Sequence, residues 1–149
     1  MKRIDVKLNL PVVAPLLDVL RRAGSQLGED LAAPLRIDDL DVDFRETWTE
    51  ELVNEQRGEV TTLLALFDDE FLATGTIRIE EPAFESVLRA CSAFRLHLRS
   101  HDLRAVADEH LEGGLLTPDQ LPEGQRPALT AYIFLASLQE LLIDHSEAA

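Results

Sequence analysis

Cysteine occurs once in this chain, at Cys91, so an intrachain disulfide and a multi-cysteine zinc site are both excluded. Positive charge is also scarce: 14 Lys and Arg stand against 28 Asp and Glu, a formal net charge of −14. A field of that sign repels phosphate backbones and anionic bilayers, which argues against nucleic-acid and membrane partners. Long apolar runs are missing as well. The longest, Ala131 to Ile143, is interrupted by Gln139 and Glu140 and is too short to span a bilayer. The amino-terminal residues alternate instead of forming an apolar signal segment, so a cytoplasmic protein is expected.

What is present is the balance of a globular protein: 46 % hydrophobic and 28 % charged residues over 149 positions. That length suits a single domain, 1–149, able to bury a core without staples. Residues 2–10 alternate Ile4, Val6, Leu8 and Leu10 with polar neighbours, the period of a half-buried strand. Ile77 and Ile79 mark a second short strand from Thr76 to Glu80, and the two are expected to pair as a ribbon. Helical spacing predicts a helix from Val12 to Ala23, ended by Gly24 to Gly28. A second helix starts at Asp43, which with Glu46 three residues later has capping-box spacing, and it is expected to kink or break at Gly58. A third runs from Pro82 past Leu98, and a last, apolar nearly all round, from Pro127 to about Asp144. Ile37, Leu40 and Val42 suggest a short strand, and residues 103–127 form the longest connection, with a helical turn starting at Thr117-Pro118. The fold class is therefore mainly α with a small β element (α+β), a four-helix core plus a short two-stranded ribbon.

Two charges fall inside apolar stripes. On a wheel of about 100° per residue, Phe84, Val87, Leu88, Cys91, Phe94 and Leu98 share a face with Arg95. Leu129, Tyr132, Ile133, Ala136 and Ile143 share one with Glu140. Removing one partner of a buried pair costs about 3–5 kcal/mol, so facing helices with an Arg95–Glu140 core ion pair are expected, with Asn54 as a candidate third member. The ordinary role of such a pair is to set register; an active-site pair is the sharper alternative.

Other chemistry is weighed the same way. His97 and His101, spaced i, i+4, can reach one metal from one helix face, with Asp102 as the third ligand and Glu109 and His110 nearby. No glutamate directly follows the first histidine, so no zinc protease is implied, and solvent-flanking histidines are the plainer reading. Asp39, Asp41, Asp43 and Glu50 imitate a calcium loop, but Phe44 stands where the sharp turn needs glycine. Gly113-Gly114 lacks the rest of a phosphate loop, and no serine sits in a nucleophile elbow. Cys91, on an apolar face, reads as a small hydrophobe.

The order of Phe44-Arg45 with Asn54, Ile77 to Glu80, Arg95-Leu96-His97-Leu98, and Tyr132 with Leu138-Gln139-Glu140-Leu141-Leu142 resembles a bacterial family known only as domain of unknown function 2017. The resemblance covers most of the chain from Phe44 onward. Arg99 stands where the family has glycine, and the family's Trp near Val87 and Asn near Ser92 or Ala93 are lacking, as in a divergent member. It implies no activity. Taken together, the residues point to a non-enzymatic protein-interaction or regulatory module, with a protein partner or self-association and no cofactor. The alternative is a metal-binding enzyme or sensor using His97, His101 and nearby carboxylates.

Overall fold

A computed structural model describes residues 2–33, 42–113 and 116–147. Strands β1 (Arg3–Lys7) and β2 (Thr76–Glu80) pair antiparallel, with Ile4 opposite Ile79 and Val6 opposite Ile77. Their alternation puts Ile4, Ile77 and Ile79 into the core while the intervening charges stay out. The first helical stretch is divided at Ala14–Pro15 into α1 (Leu10–Val13) and α2 (Leu16–Leu27). Then come α3 (Val42–Leu64), α4 (Asp69–Thr74), α5 (Phe84–Ser100), α6 (Asp108–Glu112) and α7 (Arg126–Glu147).

The four long helices α2, α3, α5 and α7 form the bundle, and the ribbon with α4 closes one side. Both α2 and α5 pack against all the other long helices; α3 and α7 pack on α2 and α5 rather than on each other. Leu20, Leu27, Leu63, Phe94, Leu98, Leu135 and Leu142 fill the shared interior. The expected pairing of α5 with α7 holds, but α5 shares the central place with α2.

Several expectations need correcting. Gly28 caps α2, within the expected Gly24 to Gly28 stop, but the helix runs on through Gly24. A Cβ there would stand 3.1 Å from Leu64, 3.3 Å from Val60 and 3.4 Å from Phe94, so the missing side chain lets α3 and α5 approach. Gly58 does not break α3, which runs through it on an open face with nothing within 4 Å of a Cβ. Asp43 lies in the first turn of α3 and not before it, where its charge favours the helix N-terminus. Near the start of α3, Phe44 and Trp48 lie at helical spacing but are 56 % and 37 % exposed, and they meet edge to face. The buried stripe is Val53, Gln56, Val60 and Leu63, which has a polar member. The described residues of the 103–127 connection hold α6 and two 3-10 turns, the first at Pro118–Gln120, where Gln120 Oε1 accepts from the Thr117 amide at 2.8 Å. Asp39 and Asp41 of the calcium-loop pattern, with Ile37 and Leu40 of the suggested strand, lie outside the described residues.

Candidate functional site

The Arg95–Glu140 ion pair does not form. Glu140 is exposed, and the residue of α7 that meets Arg95 is its neighbour Gln139. Arg95 Nη1 donates to Gln139 Oε1 at 2.8 Å, and Nη2 donates to the Tyr132 hydroxyl at 3.2 Å. The guanidinium carbon stands 4.8 Å from the Tyr132 ring centroid, within cation–π range. Tyr132 in turn donates to Glu112 Oε1 at 2.5 Å. Gln139 is held from its other end, its Nε2 donating to the Leu88 carbonyl at 3.0 Å and to Ser92 Oγ at 2.7 Å. Asn54 takes no part: it is exposed on α3 and accepts from Arg57 at 3.1 Å.

The reason is a matter of helix phase. The buried face of α7 is Ala128, Ala131, Leu135, Leu138 and Leu142, flanked by Leu129 and Tyr132, whereas Ile133 and Ile143 of the expected stripe are exposed. That rotation carries Glu140 to water and Gln139 to the seam with α5. Arg95 itself borders the buried face of α5 and does not sit within it, so its charge keeps solvent access. Burial raises the Tyr132 pKa, and its hydrogen bond to Glu112 adds to that. A consequence is measurable. Glu140→Ala should change unfolding stability by less than about 0.5 kcal/mol, as for other exposed positions. Gln139→Ala, which removes three hydrogen bonds, should cost about 2 kcal/mol. Denaturant titration of both variants checks the ranking, and the reverse order would restore the ion-pair picture.

His97 and His101 do come together, but as a stack: their ring centroids are 4.1 Å apart with planes at 21°. His97 is buried; His101 is exposed, its Nδ1 2.9 Å from the His97 carbonyl, which can accept only if that nitrogen carries the proton. Asp102 is not a third ligand. The helix unwinds at His101 (φ −117°, ψ −84°) and leaves Asp102 exposed. Glu109 and His110 line a different cavity, with Gly113, Leu116 and Gln120. Among the described residues no three His, Cys, Asp or Glu side chains form a group that could hold a metal ion.

Burial lowers the His97 pKa below the ordinary 6.5, and the neighbouring His101 lowers it further while Asp102 opposes. Glu29 and Asp30, from the end of α2, line the same cavity as both imidazoles. Because the unfolded chain binds a proton near 6.5 and the native imidazole does so only at lower pH, stability is fully present above that value. It is lost as pH falls through it toward the native pKa. Urea midpoints should therefore decline as pH falls from about 7.5 to about 5.5, and His97→Gln should flatten the decline. Equal slopes in the two proteins would show that His97 does not stay neutral in the fold.

Cys91 is buried, and burial pushes its thiol up to about 12, against the opposing charge of Arg95. It is a packing residue, not a nucleophile.

A concavity lies over α5, between α3 and α7. This groove, of about 650 Å³, is floored by Leu88, Ala93 and Leu96, with Leu52 and Ile143 on its apolar sides. Its α3 rim carries Glu55, Gln56 and Glu59. Arg89, the one cation among the described residues lining it, is already paired with Glu59 at 2.9 Å and with Glu85 at 2.9 Å. Burial raises the Glu59 pKa, Arg89 opposes, and Glu55 and Glu85 add to the rise. The groove is thus apolar within and in excess of negative charge at one edge. Nothing in the sequence distinguished it: Leu88 reads as a member of the α5 stripe like any core residue, and neither Leu52 nor Leu96 carries a mark of its own. Comparison with protein families, with curated proteins and with solved structures finds no match for this chain. No helix among the described residues is long and apolar enough to cross a membrane.

Proposed function

We propose that this protein is a non-enzymatic interaction module whose groove over α5 receives an amphipathic, basic helix from a partner protein. The observation that carries the reading is the pairing of an apolar floor with an acidic rim in one groove. An apolar helix face displaces water from Leu88 and Leu96, and Lys or Arg side chains beside it meet Glu55 and Glu59. The net charge of −14 favours such a partner during approach. A cytoplasmic setting belongs to the same proposal. So does membership of the domain of unknown function 2017 family, which rests on the sequence resemblance alone.

Affinity purification from the native cell with cross-linking at Ser92, which lines the groove, tests the reading. The cross-linked segment is expected to be helical and basic on the flanks of an apolar face. Leu96→Asp should abolish its capture while circular dichroism shows the fold intact. Capture that survives Leu96→Asp, or a cross-linked segment without basic flanks, would overturn it.

A further inference from the structure

We propose that Arg95, Arg99 and Tyr132 form a binding site for a small oxyanion, a carboxylate or a phosphate group, and that Glu112 of this chain occupies it as an internal substitute. Two arginines one helical turn apart on α5 converge on one oxygen: Glu112 Oε1 is 3.6 Å from Arg95 Nη2 and 3.9 Å from Arg99 Nη1. Both distances exceed a hydrogen bond, so the carboxylate balances the charges while the Arg95 Nη groups donate to Gln139 and Tyr132 instead. Only Tyr132 donates to it directly, at 2.5 Å. Arg95 Nε is buried with no hydrogen-bond partner. A cavity of about 320 Å³ lies beside these groups, lined by Ser92, Arg95, Leu96, Arg99, Glu112 and Tyr132. A guanidinium fork matches the geometry of a carboxylate or phosphate, and two forks plus a phenol hydroxyl make a cradle for one.

The donors and the carboxylate differ in how firmly they are held. Gln139 fixes Arg95, and Gln139 is itself fixed by the Leu88 carbonyl and Ser92. Arg95, Arg99 and Tyr132 stand on the long helices α5 and α7. Glu112 ends the five-residue helix α6 with its side chain 53 % exposed, against 26 % for Arg95. Asp108 of the same short helix stands 3.7 Å from Arg99 Nε. Exposed ion pairs at such separations are weak, so the Tyr132 hydrogen bond is what holds the carboxylate, and a competing oxyanion that accepts the same bond can displace it without disturbing the cradle. The site needs no partner in the groove, and its fate is independent of that reading.

The test is an amide-resonance titration of the full chain with inorganic phosphate and, separately, with acetate, at fixed ionic strength with chloride as control. Glu112→Gln keeps the shape and removes the competing charge. It should bind phosphate, acetate or both at least about tenfold more tightly than the unaltered chain, because a like charge within a few ångströms of the anion is gone. Adding Arg99→Gln to that variant should abolish the gain; Arg99 is a rim residue, so the fold survives the change. Saturation by only one of the two anions supports the site and assigns its head group. The proposal is overturned by equal affinities in Glu112→Gln and the unaltered chain, by a gain that survives Arg99→Gln, or by chloride producing the same shifts.

Discussion

Phe94→Ala is expected to destabilise the protein by about 3–5 kcal/mol, the range for truncating a fully buried phenylalanine. Phe94 has no solvent exposure, and its ring reaches to 3.4 Å of the space a Cβ on Gly24 would fill. It therefore stands at the contact between α5 and α2, beside Val60 and Leu64 of α3. Truncation leaves a cavity that rigid flanking helices close only in part, so the loss of contacts adds to the loss of buried apolar area. The comparison is Phe44→Ala, which removes the same ring from an exposed position and should change stability by less than about 0.5 kcal/mol. Urea unfolding followed by circular dichroism measures both. A cost below about 1.5 kcal/mol for Phe94→Ala would mean that the interior described here is not the one that holds the fold.

Gln56→Leu should cost about 2–4 kcal/mol although it places an apolar side chain of similar size at a buried site. Gln56 Nε2 donates to the Leu27 carbonyl at 2.6 Å and to the Asp30 carbonyl at 2.8 Å, while its Oε1 accepts from the Ala32 amide at 3.0 Å. One side chain on α3 thus satisfies the carbonyl of the last residue of α2 and two groups of the segment after it. Leucine has no donor or acceptor for any of them, and the penalty for unpaired backbone groups exceeds the gain in apolar burial. The Ala32 amide should also lose its protection against hydrogen exchange in the variant. Protection unchanged from the parent would show that the clamp is not what orders this turn.

Neither residue stood out in the sequence, and the reasons differ. Phe94 was legible as one apolar member of the α5 stripe, but its central place depends on Gly24, which reads as a helix terminator until the helices are packed. Gln56 was invisible because a polar residue in the α3 stripe is indistinguishable from a residue on its solvent face; only the three backbone partners from the end of α2 set it apart. The candidate sites divide similarly. Arg95 was read as a charge inside an apolar stripe and paired with Glu140, whereas it borders that stripe and meets Gln139; Tyr132 does belong to the facing helix. Arg99 and Glu112, which complete the cradle, carry no signal in sequence: one is an ordinary cation near a helix end, the other one acidic residue among many. The His97–His101 neighbourhood was legible from i, i+4 spacing, but spacing cannot distinguish rings that stack from rings that converge on a metal.

Local chemistry was enough to establish the two strands, the four long helices and the exclusion of an intrachain disulfide, since strand alternation, helical spacing and a single Cys91 are read from the chain itself; that the strands pair antiparallel is a finding of the structure. The rotation of α7 was beyond it. That helix is apolar on nearly every side, so its hydrophobic period has no unique phase, and the position of a lone Glu140 does not supply one. A surface charge pair stabilises by at most about 1 kcal/mol, whereas burying a single leucine contributes about 2 kcal/mol. Packing of Leu135, Leu138 and Leu142 against α5 and α2 therefore outweighs any preference of Glu140 for Arg95, and it brings Gln139 to the seam.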